Sequence, residues 1–528
     1  MSAGIWFRNN ESNWSPYASP YILILCLTAS LSGGCRLLPS QENRSISVAL
    51  ADTDTTRLGK AISPRVAVNP GHSGVHLLPD ARAAFAARML LAQAAERSLD
   101  VQYYIWKQDT TGTLLFRALF DAAERGVRVR LLLDDNNTSG LDKTLAILDS
   151  HPNIEVRLFN PLAMRDLRLL NYIIDFSRLN RRMHNKSFTA DNQATIIGGR
   201  NIGDEYFGAA DDVLFADLDV LAGGPVVNDV SDDFDRYWAS QSSYPLNRLL
   251  PPSGPEIFQE FASATAKIQH SLAAQAYIDA LRDSCTVQEL IEGNLVLEWA
   301  LTHMVSDDPA KGLGLASSDA LLTYTLKEII GDPAVEVDLV SPYFVPTAAG
   351  VASFTALARE GVKINVLTNS LEATDVAAVH AGYAKWRKPL LVAGISLYET
   401  KRLWRSPRQP ESGRLAGSSD ASLHAKTFSV DRSRIFVGSF NFDPRSAKLN
   451  TEMGFVIESQ KLAKQVATTF HRIVPVNAYE VRLSENGELY WIERRGEKQV
   501  RHDTEPGTSF WQRLGVRILS VLPIEWML

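Results

Sequence analysis

The sequence predicts an α/β protein built twice over, with two similar domains in one polypeptide. Three observations carry this. After residue 80, short apolar strand-like runs alternate with helix-patterned segments, the signature of helices packed on a mixed, largely parallel sheet. The order of these segments recurs about 240 residues later, a period far longer than any solenoid unit and suited to a domain duplication. The chain has 528 residues, 45% hydrophobic and 22% charged, enough for two or three cores.

The elements follow in order. Residues 1–35 are expected to form an export leader, because "PYILILCLTASLSGGC" holds an apolar run that suits a signal segment and is short for a membrane span. Its end, "LSGGC", is similar to a bacterial lipobox and makes Cys35 a candidate lipid-bearing N-terminus. Ser32, and not Leu31, lies three before that cysteine, which departs from the usual pattern. Residues 36–79 are polar and irregular and are expected to be a tether. The first domain, 80–252, opens with the strand "SLDVQYYIW" and the helix "TGTLLFRALFDAAERG", closed by Gly126, followed by the strands "VRVRLLLDD" and "IEVRLFN". Residues 253–332 are rich in helix formers and read as a helical linker. The second domain, 333–477, repeats the order with "AVEVDLVSPYF", "SFTALAREG", "VKINVLTNS" and "GISLYE". In 478–528, Asn486-Gly487 marks a hairpin, and the tail with Trp511, Arg513, Arg517 and Trp526 suits either a lipid interface or the closing of a domain. Three cysteines are too few for a disulfide framework, and Cys285 is expected to be buried.

The chemistry lies in a motif that occurs once per domain. His184, Lys186 and Asp191 form H-x-K-x4-D, and so do His424, Lys426 and Asp431. Asn201 and Asn441 each stand seventeen residues after their histidine. On a strand, residues two apart share a face, so each histidine and lysine point the same way. A lone match is weak, but two in register with a duplication are not readily two satisfied core histidines. These residue types suit attack on a phosphodiester. The lysines can neutralise charge on the phosphoryl oxygens, with the asparagines donating hydrogen bonds. One imidazole can attack phosphorus while the other protonates the leaving alkoxide.

On these paired motifs, the chain resembles the phospholipase D superfamily, and "RRMHNKSFTADNQATIIGGRNIGDEYF" resembles the C-type bacterial cardiolipin synthases. The resemblance implies two phospholipase D-like α/β domains sharing one active site at a pseudo-twofold interface. It implies His184 as nucleophile and a supporting role for Asp191 and Asp431. It also implies a downstream carboxylate orienting each histidine, for which Asp217 and Glu452, 33 and 28 residues after His184 and His424, are the candidates. No metal or other cofactor is expected.

Basic stretches precede both motifs: Arg165, Arg168, Arg178, Arg181 and Arg182, then Lys401, Arg402, Arg405, Arg408 and Arg414. Arginine forks suit phosphate, and basic residues among apolar ones suit anionic lipid heads. A net charge of −6 and an export leader disfavour nucleic acid. Tyr104 and Tyr343, at equivalent strand ends, are expected near the site, with Asp134 and Asp135 at its rim. The expected activity is transfer of a phosphatidyl group to phosphatidylglycerol, with phosphatidylethanolamine as donor, in a membrane-attached protein of the bacterial envelope. The alternatives are a phospholipase D using water, a nuclease, and a lipid-binding scaffold with vestigial motifs. Phospholipids and a membrane surface are the expected partners.

Overall fold

A computed structural model describes residues 38–208, 217–252, 256–402, 423–523 and 525–528. Cys35 and the basic residues Arg405, Arg408 and Arg414 lie outside these. In the first domain the strands are β1 (Ser73–Leu78), β2 (Ser98–Tyr103), β3 (Arg128–Asp134), β4 (Ile154–Phe159), β5 (Ser187–Ala190), β6 (Ala194–Gly198), β7 (Asp219–Gly223) and β8 (Ser243–Pro245). They pair in the order β8-β4-β3-β2-β5-β6-β7-β1. The second domain uses β9 (Glu298–Ser306), β10 (Glu336–Val340), β11 (Lys363–Asn369), β12 (Ser396–Thr400), β13 (Thr427–Val430), β14 (Arg434–Gly438), β15 (Met453–Glu458) and β16 (Ala478–Leu483). Their order, β16-β12-β11-β10-β13-β14-β15-β9, copies that of the first domain strand for strand. The duplication is therefore one of topology as well as sequence.

The sheets are mixed. Among the strand ladders of the described residues, parallel pairing is confined to β2-β3-β4 and β10-β11-β12, and the others are antiparallel, so the expected parallel majority is not found. The reason is local: each motif strand returns as a hairpin beside β2 or β10, and a two-stranded return can only be antiparallel.

Two expected boundaries are corrected. The segment 36–79 contains a helix, Arg57–Ala67, and β1, which lies between β7 and β9 within the pairing order, so its second half is not a tether. The segment 253–332 holds helices Glu256–Gln269 and Leu272–Asp283, but also β9, an integral strand of the second domain. Through Glu298–Ala300 it pairs with β1, and through Leu301–Ser306 with β15, so one strand joins both sheets. A second link is the apolar cluster between the domains, with Ile197, Val220 and Val230 from one and Val437, Phe455 and Ile457 from the other. Cys285 is exposed, contrary to expectation. Beyond β16, strands β17 (Leu489–Arg495) and β18 (Lys498–His502) extend the second sheet, and the helix Phe510–Val521 follows.

Candidate active site

Each motif enters its strand from the same end of the sheet. Lys186 and Lys426 immediately precede β5 and β13, which run antiparallel to β2 and β10. His and Lys therefore sit beside the C-terminal ends of the parallel strands, where open α/β sheets place their ligand sites. The asparagines arrive after β6 and β14, whose turns bring the chain back to the same edge.

The two halves interlock. His184 N–H donates to the Thr451 carbonyl at 2.9 Å, and Thr451 N–H donates to the Arg182 carbonyl at 2.9 Å, clipping the first motif to the segment before Glu452. Glu452 thereby reaches His184: its Oε2 lies 2.7 Å from Nδ1. His424 Nδ1 is 2.6 Å from Asp217 Oδ2. Each imidazole is thus held by a carboxylate of the other domain, whereas each acid was expected to serve the histidine upstream of it in its own domain. With both Nδ1 atoms engaged, Nε2 is the ring nitrogen left to each histidine for chemistry.

The carboxylates differ in setting. Glu452 accepts from Ser439 Oγ at 2.5 Å and Ser446 Oγ at 2.8 Å, and its backbone N–H donates to Asp307, which also binds Lys311 at 2.8 Å. Burial pushes its carboxyl up to about 7, against the pull of Lys186. Asp217 is buried too, yet His424, Lys426 and Arg200 outweigh that burial and hold it below the usual carboxylate range. Arg200 also donates to the Asp217 carbonyl at 2.9 Å and meets Asp219, which is paired with buried Arg88 at 2.8 Å. Gly199 makes room for this acid, since a Cβ there would fall 2.0 Å from Asp217 Oδ1.

Lys186 and Lys426 donate to the carbonyls of His184 (2.6 Å) and His424. Burial lowers Lys186 to about 7 and Lys426 to about 8, with Glu452 and Asp217 working against that drop. Burial and the surrounding cations, Lys186, Lys426 and His424, hold His184 well below its ordinary value. His424 is lowered as well, by burial and Lys426, while Asp217 pulls it back up. Together with the crossed imidazole–carboxylate contacts, these mutual effects place the histidines and lysines of both motifs in one site. Asn201 Oδ1 accepts from Ile105 N–H at 3.2 Å, and its buried Nδ2 has no hydrogen-bond partner among the described residues. Buried Asn441 likewise leaves Oδ1 unpaired.

Asp191 and Asp431 lie elsewhere. Asp191 accepts backbone N–H from Glu96, Arg97 and Ser98, and Asp431 from Ala334, Val335 and Glu336. They fasten the far end of each motif strand, about 16 Å from the lysines at 3.3 Å per residue. Neither touches an imidazole, so although they complete the H-x-K-x4-D motif, Asp191 and Asp431 stand apart from the candidate catalytic groups.

The arginines before the first motif are also committed internally. Arg165 binds Asp135 and Asp142, Arg178 binds Asp175, and Arg182 binds Asp134 at 2.7 Å in full burial. They hold the chain that leads to His184, and the expected phosphate role is not what their contacts serve. Tyr104 does lie at the site, its ring 4.9 Å from that of His184. Tyr206 stands in the same relation to His424 at 5.2 Å and escaped the sequence reading, because its counterpart in the repeat is Ser446. Tyr343 OH donates to Asp375 at 2.9 Å. One His/carboxylate group with metal-like spacing occurs among the described residues, Glu336, Asp338 and His471. It lies at the Asp431 end of the sheet and is engaged in its own ion pairs.

A family model described as cardiolipin synthase, PLD-like domain, matches twice, over residues 89–238 and 326–474. Cardiolipin synthase C of Escherichia coli K12 is 52% identical over 472 residues, 89% of this chain and all of that protein. An uncharacterized protein of Helicobacter pylori 26695 is 32% identical, covering 95% of this chain and 99% of its own. Among solved structures, a phosphatidylserine synthase of Haemophilus influenzae shares the fold, with a TM-score of 0.52 at 14% identity, over 80% of this chain and 92% of that one. With one domain match around each half of the site and likeness along nearly its whole length, the chain belongs to the cardiolipin synthase family of phospholipase D-like proteins.

Proposed function

We propose that the chain is a phosphatidyl transferase that makes cardiolipin, working at the bacterial envelope on phospholipid substrates and anchored through Cys35. The observation that carries this is the crossed pair of imidazole–carboxylate dyads over two buried lysines, in a chain 52% identical to a cardiolipin synthase.

His184 Nε2 attacks the phosphorus of the donor, phosphatidylethanolamine. The N–P bond forms, the P–O bond to ethanolamine breaks, and the leaving oxygen takes a proton from His424 Nε2. A hydroxyl of phosphatidylglycerol then gives its proton to His424 as its oxygen attacks phosphorus, and the N–P bond breaks. Lys186, Lys426 and the Asn201 amide face the charge that builds on the phosphoryl oxygens. The site's asymmetry supports these roles. His184, depressed furthest, is suited to be the free base, and His424, beside a firmly ionised Asp217, is suited to carry the proton.

The test is to reconstitute the full chain with phosphatidylethanolamine and phosphatidylglycerol and resolve the lipids. Cardiolipin that disappears in both His184→Ala and His424→Ala supports the transferase. Phosphatidic acid as the sole product would replace it with the hydrolase, and cleavage of polynucleotide without lipid turnover would refute both.

A further inference from the structure

Two segments near the site carry large apolar side chains that the fold leaves in solvent. The first is the helix Arg168–Ile174 and its flanks, where Leu169 is 83% and Ile173 80% exposed, with Leu167, Ile174 and Phe176 also out. The second is the helix Phe510–Val521, where Trp511 is 75% and Val521 81% exposed, alongside Phe510 and Ile518. Patches of this kind are uncommon on soluble monomers and mark interaction surfaces.

Both segments are tied to residues around the site. Tyr172, on the first helix, bonds Asn136, and the adjacent Asn137 donates at 3.4 Å to the carbonyl of Tyr104, whose ring meets His184. The second helix seats Val516 and Leu519 against Leu371 and Ala381, and the chain that follows brings Leu528 onto Val345, Val379 and Tyr343. One residue ties them together: Arg445 donates to the Asn180 carbonyl at 3.0 Å and its Oδ1 at 2.7 Å, and to the Met527 carbonyl at 2.8 Å. The apolar residues therefore belong to two domains and are anchored to one point next to the second motif. Exposed Arg517 lies on the second helix, and exposed Lys448 ends the helix Pro444–Lys448 that carries Arg445. No helix among the described residues is long and apolar enough to cross a membrane.

We propose that these two helices form one docking face for an anionic phospholipid bilayer, inserting Leu169, Ile173, Trp511 and Val521 at the acyl boundary. The occupant follows from the chemistry of the reaction proposed above, on which this inference rests. A diacyl substrate keeps its chains in the bilayer, so its phosphate can reach His184 only if the site lies at headgroup level. Helices that expose apolar side chains flanked by cations are suited to that level, and Lys448 and Arg517 complement the charge of phosphatidylglycerol. A protein partner would need no such placement around the site.

Hydrogen exchange on the full chain tests this with vesicles of phosphatidylethanolamine and phosphatidylglycerol. Residues 167–179 and 510–522 should exchange at least tenfold more slowly on the vesicles. The turn around exposed Val335, at the opposite end of the sheet, should not change. Equal exchange at both helices in vesicle-bound protein would overturn the proposal, as would protection of the Val335 turn to the same extent. Two charge variants supply an independent readout, Leu169→Glu with Ile173→Glu, and Trp511→Glu with Val521→Glu. Each pair should lower turnover of vesicle-borne lipid at least tenfold, and wild-type turnover in both would also overturn it. Should the wild type make no cardiolipin, the exchange result still reports on the docking face, so the two failures are distinguishable.

Discussion

At the scale of single residues, the pairing of each imidazole with a carboxylate from the other domain sets the expected phenotypes. Glu452→Gln keeps the size of the side chain and can still meet Ser439 and Ser446, but it removes the charge behind His184. By analogy with other histidine–carboxylate pairs, the loss in kcat should be about 10²–10⁴-fold. The pH profile gives a second readout with a definite sign. Glu452 ionises as pH rises through about 7, which switches on its support of His184. Lys186 loses its proton near 7 and Lys426 near 8, which withdraws charge from the phosphoryl oxygens. A plot of kcat/KM against pH should therefore be bell-shaped with its maximum between these values, and Glu452→Gln should flatten the acid limb. The same shift has a cost in stability. A folded-state carboxyl near 7 contributes stability below its ordinary value of 4.5 and loses it as pH rises to 7. Glu452→Gln should thus melt no lower than wild type at pH 8, and a large drop in Tm there would argue against a strained acid. His424→Ala should leave the first half-reaction intact for a donor with a good leaving group, so mass spectrometry should find a phosphatidyl adduct on His184. An adduct on any other residue would reassign the nucleophile.

At the scale of the element, each motif strand has a chemical end and a mechanical end. Asp191 gathers three backbone N–H groups at the start of β2, so Asp191→Ala takes this acceptor from the buried Ser98 N–H and from the half-buried N–H groups of Glu96 and Arg97. That should cost on the order of 3 kcal/mol, read as a fall in denaturation midpoint, while kcat per folded molecule stays within a few-fold of wild type. The turn after β6 has the opposite sensitivity. Gly199→Ala places a methyl on the Asp217 carboxylate, 2.0 Å from Oδ1, so the acid must move away from His424. Activity should fall by about 10²-fold or more, and an unchanged rate would mean that Asp217 does not position the ring. The second repeat has Ser439 at the corresponding place, where the longer Glu452 leaves space and accepts its hydroxyl. The two halves have therefore diverged around a common plan.

At the scale of the whole molecule, the site exists only because the domains are locked face to face. Strand β9 belongs to both sheets, an apolar cluster spans the interface, and Thr451 clips the first motif to the second domain. Arg445, in the helix Pro444–Lys448 that follows Asn441, adds a polar tie to Asn180 and to Met527. Arg445→Ala should lower the thermal midpoint and also kcat, because loosening the interface separates each histidine from its acid. A variant that melts lower but keeps full activity would show that the clip at Thr451 suffices alone.

Much of this was legible in the chain itself. The duplication, the class of fold, the two histidines, two lysines and two asparagines follow from repeated local patterns, and a repeated pattern survives without knowledge of the fold. The family resemblance also pointed to Asp217 and Glu452, but read along one chain it matched each acid with the wrong histidine. The crossing depends on contacts between residues 207 and 268 positions apart, which no local pattern encodes. The same limit explains the strand hidden in the presumed linker, since β9 is recognisable only by its partners. It also explains the arginines before His184, whose charge suggested phosphate until the structure showed Asp134, Asp135, Asp142 and Asp175 against them. Sequence determined which groups can do the chemistry. Tertiary structure decided which acid holds which base, because hydrogen bonds depend on distance in space and not on order in the chain.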